Sequence, residues 1–253
     1  MKDPALIVAS PATRRVWSSP DAVLLCIAGC AAEFAAHKAV DWVFVTGKLP
    51  KDPVGRFLDT TALLRCIVFS DPARAGAKIE EINRIHSHVE RARGEEIPQW
   101  AYRDVLYMLI YYGERAHDIV FGPMSASERI EHYEAWIAVG AAMGIADLPD
   151  SYAEYREQRR RQLLADYAYS QYTSRLFERY RETLGPLRYG VLLRIQAALI
   201  PAELKPVLGM QPSTLVYLLL RLYRYLPGGD HKLRWLHPLV LPRSVARRII
   251  YTS

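Results

Sequence analysis

The sequence predicts an all-α fold, a single multi-helix, bundle-like domain, from three observations. Apolar residues recur at helical spacing, as in Ala75, Ile79, Ile82 and Val89. Helix-start signatures of Ser, Thr or Asp next to Pro, or three residues ahead of Glu, recur along the chain. No segment shows the period-two alternation and turn chemistry of a sheet. The 253 residues suffice for a substantial core. Without an internal repeat or composition break, residues 1–253 read as one domain.

Ser19-Pro20 opens a helix that continues from Asp21 to about Trp42. A loop with Gly47, Pro50 and Pro53 leads to a helix from about Val54 to Phe69. Ser70-Asp71-Pro72 caps the next, which runs to about Arg93. Trp100 to Val120 is a long, tyrosine-rich apolar helix. Capping boxes at Ser125/Glu128 and Ser151/Glu154 open helices to about Met143 and Tyr169. Thr173 caps another that stops near Gly185-Pro186, and a further helix reaches about Leu199. A helical turn starts at Pro201 and a last helix at Pro212, ended by Gly228-Gly229. A basic, aromatic tail spans about 228–253.

Charge and cysteine usage exclude several classes. The net charge of +6 is spread along the chain, and the longest basic run, Arg159-Arg160-Arg161, shares its helix with Glu154, Glu157 and Asp166. It reads as a solvated helix face, not a nucleic-acid stripe. Cys26, Cys30 and Cys66 lie in apolar helical contexts without zinc-like spacing and suit a reducing compartment. The N-terminus lacks a signal-peptide core, and no apolar run reaches the roughly 18 residues of a spanning helix. These features predict a cytoplasmic protein, with the tail from Tyr223 to Tyr251 as a surface for peripheral membrane contact.

Phosphate loops, a GxSxG elbow, HExxH and CxxC are absent, so chemistry falls to scattered histidines, carboxylates and tyrosines. His86 sits on the apolar stripe between Ile82 and Val89, whereas His88 falls on the opposite, polar face. Arg56 and Thr60, four apart, share one helix face. A buried imidazole, an arginine and a hydroxyl are parts that a haem iron site uses. Other candidate ligands are His37, which follows Ala35-Ala36, and His117 and His132, which read as partly exposed beside Asp118 and Glu131. Tyr102, Tyr107, Tyr111 and Tyr112 read as a core helix or as one wall of an apolar channel.

Over about residues 25–210 the chain resembles the MpaB-type oxygenases, a helical haem b family that includes the latex-clearing rubber oxygenases. The matching pieces are Arg56-Phe-Leu-Asp-Thr60, Ile85-His86-Ser-His-Val89 and Phe121-Gly-Pro-Met-Ser125, followed by Tyr133 and Trp136. Met143-Gly-Ile-Ala-Asp-Leu-Pro149, Leu184-Gly-Pro-Leu-Arg-Tyr189 and Gln196-Ala-Ala-Leu-Ile-Pro201 continue in the same order. The resemblance implies haem b in a pocket of the helical domain, with His86 as proximal iron ligand and its Nδ1 donating to a carbonyl or carboxylate. It implies Arg56 and Thr60 as the polar pair beside the haem, with O2 and a hydrophobic, alkene-bearing or isoprenoid-like molecule as substrates. Rubber oxygenases place a lysine just before the threonine, where this chain has Asp59, so a lysine-capped iron is not implied here. Their catalytic base is a glutamate upstream of the arginine, for which Glu33 and Asp41 are the nearest carboxylates. A non-catalytic helical binder of an apolar ligand is the alternative reading.

Overall fold

The computed structural model describes residues 10–45 and 52–226. The expected tail at 228–253 and the loop around Gly47 and Pro50 lie outside the described residues. Within them, ten α-helices and a 3-10 turn follow one another and no strand forms. The helices are α1 (Pro11–Ser18), α2 (Pro20–Ala36), α3 (Pro53–Phe69), α4 (Pro72–Arg93) and α5 (Gln99–Val120). After these come α6 (Ala126–Ala142), α7 (Tyr152–Ala165), α8 (Gln171–Leu199), α9 (Leu204–Leu208) and α10 (Thr214–Tyr223).

Local chemistry explains most of the boundaries. Asp52 and Asp71 cap α3 and α4 by accepting from the backbone N–H of Gly55 (2.8 Å) and Arg74 (3.0 Å). Gly94 ends α4 in the left-handed region at φ 77°. Ser125 and Glu128 cap α6 reciprocally. At α7 the reciprocity is shifted, because the Glu154 carboxylate accepts from the Asp150 N–H instead of that of Ser151. The start of α8 is also earlier than expected: Ser170 is the cap and Thr173 the reciprocating third residue. Gly185 breaks α8 at φ 77° and Pro186 restarts it.

Two departures from the expected helices share one cause. Helix α2 stops at Ala36, short of Trp42, and α7 stops at Ala165, short of Tyr169. The freed segments pair with each other: the Lys38 N–H donates to the Asp166 carbonyl (2.9 Å) and the Ala168 N–H to the Ala36 carbonyl (2.8 Å). A long-range bridge thereby replaces two local helix ends. The added helix α1 starts at Ser10-Pro11, the same signature that marks Ser19-Pro20.

At the centre, α2 packs against α5, and α6 packs against α5 as well. The Trp17 and Trp136 rings, 5.5 Å apart, fix α1 against α6. A second apolar cluster joins Ala31, Ala35 and Val40 to Leu176, Phe177 and Tyr180 of α8. Helices α3 and α4 form an antiparallel pair at one side, and the space between them, α5 and the turn after α2 is the cavity described next.

Candidate active site

The cavity has a volume of about 290 Å³ and is mostly apolar, with side chains from α3, α4, α5, α6 and residues 37–43 around it. Its polar lining groups are His37, Arg56, Asp59, Thr60, His86 and Tyr102. Helical spacing puts Arg56 and Thr60 on one side of α3, and the stripe of α4 delivers His86 beside Ile82, Ile85 and Val89. The structure thus brings Arg56, Thr60 and His86 to one cavity, while His88 is exposed on the far side of α4. Arg56 is half-buried, and Asp59 and Thr60 are exposed, so the α3 groups form its open edge.

His86 is held neutral. Burial lowers its pKa and the nearby Arg56 charge lowers it further, against an opposing effect of Glu90. The Tyr102 ring packs 5.0 Å from the imidazole, and its hydroxyl donates to Glu90 Oε1 at 3.0 Å. That carboxylate oxygen also accepts the Ile97 N–H at 3.0 Å, which ties the loop after α4 to the helix. The expected partner of His86 Nδ1 is not found: this nitrogen is buried and meets neither a carbonyl nor a carboxylate. Burial against apolar groups explains why it stands alone. The Thr60 hydroxyl donates to the Arg56 carbonyl at 3.1 Å, a helix bond that leaves its lone pairs open.

Several expectations are corrected. His117 and His132 are not partly exposed; both are buried, at 2% and 0% exposure, and neither lines the cavity. Their partners explain it: Gly122 carbonyl for His117 (3.0 Å) and the Thr13 hydroxyl for His132 (2.9 Å). Nor is the Arg159-Arg160-Arg161 run a uniformly solvated face, because Arg159 is buried against Glu33. Glu33 is fully buried and accepts from Arg159, Tyr112 and Tyr167, so it is occupied away from the cavity. Asp41 binds Arg93 at 2.8 Å, and that guanidinium covers the Trp42 ring. Of the four tyrosines, only Tyr102 lines the cavity; Tyr107 and Tyr112 are core.

His37 also reaches this cavity. Its Nε2 lies 3.0 Å from Asp104 Oδ2, both side chains are buried, and its Nδ1 has no partner. No group of three or more His, Cys, Asp or Glu forms a metal cluster among the described residues. A cofactor with its own metal needs only one such donor, and the cavity offers a neutral imidazole, a cation and a hydroxyl.

No curated protein and no solved structure matches the chain. One family model does, over residues 14–226: ER-bound oxygenase mpaB/B'/rubber oxygenase, catalytic domain. That span exceeds the motif-based resemblance at both ends and covers α2 to α10, including every lining residue of the cavity. The chain therefore belongs to the mpaB and rubber oxygenase catalytic-domain family.

Proposed function

We propose that the protein is a haem b-dependent oxygenase for a hydrophobic, alkene-bearing or isoprenoid-like substrate, in which His86 would hold the haem iron. One observation carries this reading. The neutral imidazole of His86, with an unpartnered buried nitrogen, lines the same cavity as the motif residues Arg56 and Thr60. The donor chemistry fits haem: iron takes an imidazole lone pair, and a porphyrin brings carboxylates that an arginine can hold. Bound haem would supply activation of O2, for oxidative attack on a double bond.

The chain's own residues supply the rest. Burial keeps the His86 lone pair available by disfavouring protonation. Arg56, at the open edge, is placed to pair with an anionic group, and the Thr60 lone pairs accept hydrogen bonds there. Leu63, Leu64, Val105, Leu106 and Leu109 give apolar walls that exclude water and suit a hydrocarbon substrate. Asp59 presents a carboxylate where a capping lysine would stand, so a lysine-bound resting iron forms no part of this proposal.

Expression with haem supply tests the assignment. A Soret band should appear, vanish in His86→Ala and survive in His88→Ala. A colourless protein that cannot be reconstituted with haem would sink it.

We also propose contact with a lipid surface through α10, from which an apolar substrate would enter. Leu215, Leu218, Leu219 and Leu222 of this helix are about half exposed or more. No single helix among the described residues is long and apolar enough to cross a membrane. A reducing, cytoplasmic setting suits the unpaired cysteines.

A further inference from the structure

We propose that His37, Asp104 and Asp166 form a proton path between the cavity and solvent, with His37 handling the proton at the cavity wall. Three placements carry it. His37 lines the cavity at 1% exposure, and its Nδ1 is buried without a partner. Its Nε2 faces the buried Asp104 carboxylate at 3.0 Å, which holds the imidazole proton on Nε2 and leaves the lone pair on Nδ1. Asp104 in turn acts electrostatically on Asp166, which is part-buried and is tied beside His37 by the Lys38 N–H on its carbonyl at 2.9 Å and by the His37–Tyr167 bridge.

The transfer balances as a relay. Nδ1 accepts one proton from a group in the cavity while Nε2 passes its own to Asp104. Asp104 hands one proton to Asp166, and Asp166 releases one to water. Reversal delivers a proton to the cavity. Burial, and then the Asp104 charge, raises the Asp166 pKa, which suits a carboxyl that must hold a proton in transit.

The surroundings keep the imidazole in place. Phe34 stacks at 6.1 Å, Trp100 lies at 5.3 Å and Tyr167 meets it edge-on at 5.4 Å. The charged and titratable groups near it are Asp104 from α5, Asp166 and Tyr167 from the segment after α7, and Lys38 beside it in the chain. Lys38 Nζ donates to the Ala165 carbonyl at 2.5 Å. Tyr167 donates to Glu33, which binds Arg159, so that buried network stands one layer behind.

The path itself is independent of the oxygenase reading; only its use in that reaction rests on it. The test therefore uses the haem-free protein with 15N-labelled histidine, followed by NMR. His37 should be the Nε2-protonated tautomer, and its Nε2–H should exchange with water faster than the backbone amide of Asp104. Asp166→Asn should slow that exchange by about tenfold or more, with the tautomer and amide exchange unchanged. Asp166→Glu should restore it. An unchanged rate in Asp166→Asn, an Nδ1-protonated tautomer, or imidazole exchange that tracks the Asp104 amide would overturn the path. In haem-loaded protein, His37→Gln should keep the Soret band; its loss would make His37 an iron ligand and overturn the relay role. Absence of haem binding by the unmutated protein would sink the oxygenase reading and leave the exchange result standing.

Discussion

Arg159 holds Glu33 with both terminal nitrogens, at 2.5 and 2.6 Å, across 126 residues of chain. The pair clamps α7 onto α2. Tyr112 and Tyr167 donate to the same carboxylate at 2.9 and 2.5 Å, and Gln162 donates to the Tyr167 hydroxyl at 2.8 Å. A buried carboxylate with four donors is satisfied, which is the condition for keeping a charge in the core.

Removing one partner should therefore be far worse than removing both. Glu33→Gln leaves the Arg159 charge buried and should lower stability by ~3–5 kcal/mol in urea unfolding. Glu33→Leu combined with Arg159→Met should recover most of that loss. A single-variant loss below ~1 kcal/mol would contradict the network's role.

Gly29→Ala should destabilise the protein although alanine favours helix. A β-carbon at Gly29 would meet the Tyr112 ring at 2.2 Å, and the Tyr112 hydroxyl is fixed on Glu33, so the ring cannot swing away. Overpacking should outweigh the ~1 kcal/mol helix gain and leave a net loss of ~1–3 kcal/mol. Thermal unfolding of the variant decides the sign.

Acid should weaken the fold through His132. Burial pushes its pKa down to about 3, with the His117 and Arg129 charges adding to the effect. The unfolded chain, with an ordinary imidazole, binds the proton that the folded chain refuses between about pH 6.5 and 3. Stability from this group is thus complete above about pH 6.5 and falls by up to ~1.4 kcal/mol per pH unit below it. Burial lowers the His86 and His117 pKa values too, so these groups act in the same direction. Chemical unfolding from pH 7 to 4 should show a shallower decline in His132→Gln than in the unmutated protein. Equal slopes would rule His132 out as the source.

Anionic lipid vesicles should co-sediment the protein at low salt, and high salt should weaken the charge-dependent part. Leu218→Glu with Leu222→Glu should abolish binding, since both residues sit about half exposed on α10. An unmutated protein that stays in the supernatant at low salt would refute the lipid contact.

Much of the fold was legible in the sequence because its signals are local. Asp52, Asp71 and Ser125 each satisfy an N–H three residues on, and the Ile79, Ile82 and Val89 stripe needs only the helical repeat. His86 could be preferred to His88 for the same reason. Glu33 carried an unread signal: a lone carboxylate in an otherwise apolar helix requires a buried partner. No local rule supplied Arg159 as that partner. His117 and His132 misled because a neighbouring acid suggests solvent, while Gly122, Thr13 and the facing helices buried them.

By itself the sequence determined the helical class, most helix starts, the family motifs and the face on which His86 stands. Each follows from interactions within a turn or two of chain, or from a residue pattern in order. Only the tertiary structure decided where α2 and α7 end, which carboxylates are occupied, and that His37, Arg56, Thr60 and His86 line one cavity. Those outcomes depend on groups distant in sequence competing for the same buried space and the same hydrogen bonds, which no local pattern encodes.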